Sequence, residues 1–226
     1  MTDLEKLQQQ VVSCTLCPRL VEYRQATAVK KRRMYMDWDY WGKPLPAFGD
    51  PAARVLILGL APAAHGGNRT GRMFTGDRSG DWVYGTLHKF GFAAFPHSTH
   101  RDDGQELRDA FITAALRCVP PLNKPLPQEL AECRAYLVRE IALLQNVQVV
   151  VALGKIAFDA YLSARRDGGF EIQKPRPKFG HNIVCSMDNG VRLVASYHPS
   201  QQNTQTGRLT REMFEAVFAT VQGLLK

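Results

Sequence analysis

The sequence predicts an α/β protein: a three-layer α/β/α sandwich in which helices cover both faces of a mostly parallel sheet. Short, continuous apolar runs alternate along the chain with amphipathic stretches of helical period. This alternation is typical of buried parallel strands joined by helices. The chain has 226 residues, of which 45% are hydrophobic and 22% charged, as in ordinary folded domains. We therefore expect one domain that spans residues 1–226.

The first fifty residues predict a helix followed by an arm. Thr2 and Glu5 have the spacing of a capping box, and the apolar residues that follow share one helical face as far as Cys14. Residues 26–50 are basic, aromatic and interrupted by prolines, which favours an extended arm laid over the core. The alternative is a surface loop whose Trp38, Tyr40 and Trp41 only cover the core.

The remaining elements follow in a regular order. The turn Asp188-Asn189-Gly190 separates two apolar runs and predicts a hairpin. One side of the last stretch carries a stripe of Met213, Phe214, Val217, Phe218 and Val221, which predicts a closing helix. The predicted strands are 54–60, 111–118, 147–154, 182–187 and 191–197, and the predicted helices after the arm are 81–92, 127–144, 155–166 and 207–226.

The charge of the chain favours a polyanionic partner. Lysine and arginine exceed aspartate and glutamate by +8, and the sequence pI is about 9.4. A solvated basic surface is the alternative interpretation. No apolar stretch approaches the ~20 residues of a membrane helix, and the first residues lack the features of a secretory signal. We expect a monomer in the cytoplasm that has no membrane association.

A glycine-rich loop, residues 59–77, follows the first predicted buried strand. Its sequence, GLAPAAHGGNRTGRMFTGD, contains neither of the glycine patterns that cradle phosphates. In a parallel sheet, ligands bind beyond the carboxyl ends of the strands. The segments after Leu58, Cys118, Leu153 and Tyr197 are therefore expected to form one site.

Five cysteines include a set that suits a metal. Cys14 and Cys17 form a C-x-x-C pair, whereas Cys118 and Cys133 form a widely spaced second pair with fourteen residues between them. Four thiolates suit tetrahedral zinc or an iron–sulfur cluster, and the spacing favours neither. Scattered free cysteines in the core are the alternative. Cys185, among apolar neighbours, is interpreted as a core residue.

Four motifs together resemble the uracil-DNA glycosylase superfamily, and most closely its family 5. They are the glycine-rich loop, the Asn-Lys-Pro of residues 123–125, the SYHPSQQNTQTGRLT of residues 196–210, and the four cysteines. The resemblance covers essentially the whole chain. It implies a sandwich around a mostly parallel central sheet of four strands, and removal of deaminated bases from DNA. It also implies a 4Fe-4S cluster on Cys14, Cys17, Cys118 and Cys133 that ties residues 1–50 to the body.

The chemistry of breaking an N-glycosidic bond gives these loops their roles. The departing base gains negative charge, so a catalyst needs a donor aimed at a base oxygen and a group that positions water. His198 resembles the superfamily histidine that hydrogen-bonds the pyrimidine O2. Phe74 supplies a ring that stacks on the base. The small residues of the loop let the backbone approach a flat base; the expected base contacts are Gly59, Ala61, Pro62, Ala63, His65 and Phe74.

The position of the usual water-activating residue departs from the family pattern. Many relatives place Asp or Asn directly after the glycine of the first strand, whereas this sequence has Ala61 to Ala64 there. Asp77 corresponds to an aspartate implicated in family 5, so we expect it to activate or orient water. The alternative is that Asp77 only caps the next helix. Asn123 matches an asparagine that faces the base edge, and a plain turn residue is its alternative.

Contacts with DNA are expected from the segment after His198. Where many relatives insert a leucine into the duplex, this chain has polar residues. Any wedge would therefore act by size and hydrogen bonding. The expected DNA-binding residues are Gln201, Gln202, Asn203 and Arg208. A pocket lined by small residues is expected to accept uracil and also larger damaged or deaminated bases.

Three other functions remain open at this point. Basic charge with four cysteines also fits a metal-stabilised nucleic-acid binding module without catalysis. A nucleotide-processing enzyme is disfavoured because the glycine-rich loop lacks a lysine beside a hydroxyl residue. An electron-transfer protein would leave the base-pocket motifs without a purpose.

Overall fold

A computed structural model describes residues 1–225. Within these residues the chain forms six strands and eight α-helices, together with 3-10 turns at Arg33–Tyr35 and Pro121–Asn123. The strands are β1 (Phe48–Gly49), β2 (Val55–Gly59), β3 (Ala110–Ala114), β4 (Val149–Leu153), β5 (Ile183–Ser186) and β6 (Arg192–Ser196). The helices are α1 (Asp3–Val12), α2 (Pro18–Lys30), α3 (Gly67–Thr70), α4 (Arg78–Lys89), α5 (Pro127–Leu143), α6 (Lys155–Asp167), α7 (Gln201–Gln205) and α8 (Arg211–Leu224).

The six strands form one sheet in the order β1-β3-β2-β4-β6-β5. The four central strands run parallel to one another, and each edge strand runs antiparallel to the strand beside it. All five residues of β2, β3 and β4 are buried, as expected where helices cover both faces. The predicted parallel sheet of four central strands is confirmed, and the predicted hairpin of β5 and β6 forms one edge. The other edge strand, β1, was not predicted.

Two hydrophobic clusters lie on opposite faces of the sheet. On one face, α4 and α8 pack against the strands through residues such as Tyr84 and Phe218. On the other face, α5 and α6 do so through Leu137 and Phe158. This is the predicted three-layer arrangement. Of the predicted α8 stripe, Phe214, Val217, Phe218 and Val221 are buried and Met213 is partly buried; Lys226 lies outside the described residues.

The N-terminal helix begins as predicted. The Thr2 hydroxyl accepts the Glu5 backbone N–H at 3.2 Å, and the Glu5 carboxylate accepts the Thr2 N–H at 2.7 Å. This reciprocal pair satisfies two donors that the first turn leaves without partners. No helix in residues 1–225 combines the length and apolar character needed to cross a membrane.

Three predictions of local structure were wrong. The arm predicted from residue 26 begins later, because α2 continues to Lys30. The third strand ends at Ala114, so Cys118 lies in the loop after the strand instead of ending it. Cys185, on edge strand β5, is only partly buried against the core.

Candidate active site

The carboxyl ends of the central strands meet at one edge of the sheet, as the topology predicted. Gly59 pairs with Ala114 and Leu153 pairs with Ser196, so the four parallel strands end side by side. The loop after β3 first runs alongside the glycine-rich loop, because the Ala115 N–H donates to the Gly59 carbonyl at 3.0 Å. The loops that leave these strands therefore share one region of the surface.

His198 lies where three of these loops meet. Its ring centroid is 6.1 Å from that of Phe74 in the glycine-rich loop. From the β4–α6 loop, Gly154 approaches so closely that a Cβ there would lie 3.4 Å from the His198 Cβ. From its own loop, Asn203 donates its Nδ2–H to the His198 carbonyl at 2.8 Å. The structure thus brings together the two predicted base-contacting rings.

The surroundings of His198 keep its imidazole neutral. The residue as a whole keeps some accessible surface, yet burial among protein atoms lowers the pKa of His198 to about 4. Burial lowers a histidine pKa because the charged form loses hydration. At neutral pH the ring therefore has one N–H to donate and one nitrogen that accepts.

A second histidine supports the strand end that carries His198. His181 stacks on Tyr197 with ring centroids 5.0 Å apart. One ring nitrogen, Nδ1, accepts the Tyr197 backbone N–H at 3.2 Å, and Nε2 lies 3.2 Å from the Met213 carbonyl. Burial lowers the pKa of His181, which is consistent with a neutral ring that accepts at Nδ1 and donates at Nε2. Sequence reasoning missed this residue, because no local pattern links it to Tyr197.

Phe74 adopts a backbone conformation that its surroundings must hold in place. Its φ of +52° lies in the left-handed region that favours glycine, which costs about 1–3 kcal/mol for a bulky residue. The ring packs over Gly59, where a Cβ would lie 2.9 Å from the Phe74 Cζ. The Phe74 ring therefore occupies space that a side chain at position 59 would need.

Asp77 occupies the N-terminus of α4. Its Oδ1 accepts the Gly80 backbone N–H at 2.9 Å, so Asp77 caps α4, as one of the two predicted alternatives requires. Its Oδ2 lies against Gly66, where a Cβ would be only 2.1 Å away. Burial raises the pKa of Asp77, and the backbone hydrogen bonds and the charge of Arg69 oppose that shift. The carboxyl is thus held in a fixed position in a desolvated environment.

Arg69 joins the arm to the glycine-rich loop, a role that sequence reasoning missed. Its guanidinium lies between two rings, 3.9 Å from the Tyr35 centroid and 4.0 Å from the Trp38 centroid. It also donates to the His65 carbonyl at 2.8 Å and to the Gly76 carbonyl at 2.9 Å. The sequence feature that could have indicated this contact is an arginine in a glycine-rich loop together with aromatic residues in a basic arm.

The other predicted base contacts lie in the same loop. His65 Nδ1 and the Tyr40 hydroxyl form a hydrogen bond of 3.0 Å. Its pKa is lowered by burial and by the charges of Arg32 and Arg69. The Ala63 carbonyl accepts the Asn68 N–H at 3.0 Å. Pro62 is buried, whereas Ala61 and Ala63 keep some accessible surface.

Asn123 lies in the loop after β3, and the predicted DNA contacts lie in the segment after β6. Asn123 is exposed on the turn Pro121–Asn123 with a φ of +56°. Gln201 and Gln202 are exposed on α7, a short helix that sequence reasoning missed. The Arg208 guanidinium lies 4.8 Å above the Tyr197 ring centroid. The Asn203 amide, in contrast, is engaged with the His198 carbonyl.

The four predicted metal-ligating cysteines line one cavity. Cys14, Cys17, Cys118 and Cys133 surround it together with Leu16, Leu20, Val21, Pro44, Leu116, Arg117, Glu132 and Tyr136. We call this space the cysteine cavity. Within residues 1–225, no group of three or more His, Cys, Asp or Glu side chains is arranged to hold a single ion. The thiols surround a shared space, as a cluster with one thiolate per iron requires.

Burial raises the pKa of three of these thiols, Cys17, Cys118 and Cys133. It raises the pKa of Cys118 to about 12, against the charge of Arg24 and with the neighbouring thiols adding to the shift. It raises the pKa of Cys133 to about 11, against the charge of Arg117. The Arg117 backbone N–H also donates to the Cys133 Sγ at 3.4 Å. Arg117 Nε and Nη1 are buried without hydrogen-bond partners. Unpartnered donors beside thiols fit an anionic group in the cavity.

Comparison with known proteins identifies close relatives of this chain. The model of the family described as "Uracil DNA glycosylase superfamily" matches residues 46–222. The chain is 47% identical over 222 residues to the type-5 uracil-DNA glycosylase of Thermus thermophilus, covering 98% of both chains. It is 47% identical to that of Mycobacterium bovis, covering 93% of this chain and 78% of the relative. It is 45% identical to that of Pyrobaculum aerophilum, covering 92% and 87%.

The environment of His198 predicts its titration. In an NMR titration we expect the His198 imidazole signals, assigned by their absence in His198→Ala, to shift with a midpoint near pH 4. The unperturbed midpoint is about 6.5. Because the unfolded chain binds this proton more tightly, the contribution of His198 to the free energy of unfolding is complete above pH 6.5 and is lost as the pH falls towards 4. A midpoint at or above pH 6 would contradict the burial argument.

Proposed function

The chain belongs to the uracil-DNA glycosylase superfamily, and we propose that it hydrolyses the N-glycosidic bond between uracil and deoxyribose in DNA. Water adds its hydroxyl to the sugar C1′, the base leaves with the electron pair of the broken bond and gains a proton, and an abasic site remains. The observation that carries the proposal is the meeting of the Phe74 and His198 rings, 6.1 Å apart, at the carboxyl edge of the sheet.

His198 stabilises the departing base. As the bond to the sugar lengthens, negative charge develops on the base and its O2 becomes a stronger hydrogen-bond acceptor. A neutral imidazole donates its N–H to this oxygen, and the lowered pKa of His198 supports the neutral form. Gly154 and Asn203 fix the position of His198, so little reorganisation is needed during the reaction.

Phe74 and the small residues of the glycine-rich loop hold the base. The aromatic ring offers a flat face on which a displaced base stacks. Support comes from the fixed position of the ring over Gly59 and beside His198. Gly59, Ala61, Pro62 and Ala63 line the approach with little side-chain volume, and His65 lies at its margin. Asn123 pairs with an edge of the base from the loop after β3.

Asp77 positions and activates the water. Its pKa, raised by burial, brings the carboxylate closer to the basicity that a general base needs near neutral pH. The same carboxyl caps α4 through Oδ1. One oxygen therefore holds the residue in place, and the other, Oδ2, lies against Gly66 in the glycine-rich loop, where we place the water. Arg69, which donates to the Gly76 carbonyl next to Asp77, keeps this part of the loop in position.

The DNA reaches this pocket through extrusion of one nucleotide from the duplex. Unstacking costs a few kcal/mol and is cheapest for a mismatched base. Gln201, Gln202 and Arg208 are exposed beside the site and contact the opened strand, with Asn203 holding their loop to His198. The net charge of +8 supports binding to the phosphates. The chain acts as a monomer in the cytoplasm, a compartment in which cysteines stay reduced.

Cys14, Cys17, Cys118 and Cys133 hold a 4Fe-4S cluster. Their shared cavity and the buried donors of Arg117 support this assignment. When bound, the cluster supplies a covalent cross-link between the N-terminal segment, the loop after β3 and α5. It takes no part in the breaking of the glycosidic bond, which the residues at the carboxyl edge of the sheet perform.

The pocket also accepts damaged pyrimidines and deaminated purines. Purines need more room than uracil, and the Ala61-to-Ala64 stretch leaves that room where larger polar residues would restrict it. The non-catalytic alternative, a nucleic-acid binding module, predicts retention of a uracil-containing oligonucleotide without strand breaks after alkali. The glycosylase predicts alkali-labile breaks at the uracil.

Substitution of Asp77 and His198 tests the roles at the active site. Under single-turnover conditions, Asp77→Asn is expected to slow uracil release about 10²- to 10⁴-fold, because general-base assistance is lost. Asparagine caps helices as well as aspartate, so the melting temperature should stay near that of wild type. His198→Ala is expected to slow release about 10²- to 10³-fold through loss of the donor to O2.

Matched controls for these two variants lie elsewhere in the chain. Asp3→Asn removes an exposed carboxylate in the first turn of α1, and His97→Ala removes an exposed histidine. Both should release uracil at the wild-type rate. Wild-type rates for Asp77→Asn and His198→Ala would refute the assigned roles even with the enzyme class intact.

The breadth of the pocket is tested with purine substrates. Duplexes containing hypoxanthine or xanthine are expected to lose the damaged base under enzyme excess, because small side chains line the pocket. Alkali-induced strand breaks measure the release. Intact purine substrates alongside complete uracil release would restrict the enzyme to uracil.

The cluster is tested by composition. Protein purified without oxygen is expected to be coloured and to contain about four iron atoms and an equal amount of acid-labile sulfide per chain. Cys118→Ala should lose most of both, and Cys185→Ala, which alters the cysteine on β5, should retain both. Colourless, iron-free wild-type protein would rule out the cluster.

A further inference from the structure

Arg24 on α2 is a buried cation without an anionic partner. Its side chain is 4% exposed. Nη1 donates to the Gly42 carbonyl, while Nε is buried without a hydrogen-bond partner. Among the ion pairs of residues 1–225, arginines pair with carboxylates at many positions, and Arg24 pairs with none.

The other buried arginines of the described chain are all compensated. Arg72 pairs with Asp103 at 2.5 Å, Arg117 with Glu140, and Arg165 with Asp188. Arg69 lacks a carboxylate but lies between the Tyr35 and Trp38 rings. Only Arg24, within residues 1–225, combines burial with the lack of both a carboxylate and an aromatic face.

An uncompensated buried charge is costly. Removal of one partner from a buried ion pair typically destabilises a protein by about 3–5 kcal/mol, because the remaining charge has lost its hydration. A single hydrogen bond to a backbone carbonyl replaces little of that hydration. The site of Arg24 therefore calls for an anion that the amino-acid chain alone does not provide.

The cysteine cavity lies on the same side of α2 as Arg24. Leu20 and Val21 line the cavity, and Arg24 follows them by four and three residues, the spacing that places side chains on one helix face. The Gly42 carbonyl that accepts the Arg24 hydrogen bond is two residues from Pro44, which also lines the cavity. Arg117 approaches the cavity from the loop after β3, with its charge paired to Glu140.

We propose that Arg24 is the counter-charge of the group bound in the cysteine cavity, and that it sets how tightly that group is held and how readily it is reduced. The inference rests on the cluster proposed above. Four sulfide ions and four thiolates outweigh the charge of the irons, so the whole group is anionic. Arg24 is a positioning residue here: it contacts neither DNA nor the reacting atoms.

The test uses holoprotein of wild type, Arg24→Gln and Arg24→Lys, with Arg165→Met as the control for loss of a buried arginine away from the cavity. Glutamine keeps a donor for the Gly42 carbonyl and removes the charge, whereas lysine keeps the charge. Iron loss to an excess of a chelator is followed by absorbance, and the reduction potential by a spectroscopic titration. Circular dichroism checks that each variant is folded.

Arg24→Gln is expected to retain iron about 10- to 100-fold less well than wild type, as for other changes around metal ligands. Its reduction potential should be more negative, because adding an electron beside a lost positive charge is harder. Arg24→Lys should lie close to wild type in both measurements, and Arg165→Met should match wild type. Wild-type retention and potential in Arg24→Gln would overturn the inference, as would equal iron loss in Arg165→Met. Wild-type protein without iron would instead overturn the cluster itself.

Discussion

The register of the four parallel strands is the constraint on which the site depends. With Gly59 beside Ala114 and Leu153 beside Ser196, each loop leaves the sheet at the same level. The strands are buried on both faces, so a shift of register would place every side chain in the wrong layer. The hydrophobic core therefore fixes the relative heights of the Phe74, Gly154 and His198 loops. His198 and Phe74, the proposed donor and stacking ring, come from segments more than 100 residues apart in sequence. They are held together by packing that neither of them provides.

Elements with a strong local pattern could be predicted from the sequence, and elements without one could not. β2 and β4 are continuous apolar runs, and the Thr2–Glu5 pair marks the start of α1. α2 has a weaker amphipathic pattern, and its buried positions include Arg24. From the sequence alone, an arginine is expected at the surface. β1 has two residues and exists only through its pairing with β3. Tertiary contacts decide such segments, since local propensity alone leaves them undetermined.

The same distinction holds for the active site. The convergence of the strand ends follows from topology, so His198 and Phe74 could be assigned to one region before any coordinates were known. The residues that support His198 and Phe74 could not be assigned in this way. Arg69 stacks on Tyr35 and Trp38, and His181 binds the backbone of Tyr197; these contacts join residues whose sequence neighbours carry no sign of them. Asp77 shows a different limit of sequence reasoning. The sequence offered a helix cap and a catalytic group as alternatives at this position, but one carboxyl can serve in both roles.

The N-terminal segment is joined to the body by polar contacts that do not involve the cysteines. Gln8 donates to Glu140 at 2.7 Å and accepts the Ala47 N–H at 2.7 Å. Glu140 also accepts from Thr113 and Arg117, so α1, β3 and α5 share one buried network. At the start of α2, Arg19 pairs with Glu129. These contacts already bring the N-terminal segment beside α5, so the proposed cluster would meet thiols whose supporting elements are in position. It would then cross-link an assembled layer, with Arg24 as its proposed counter-charge.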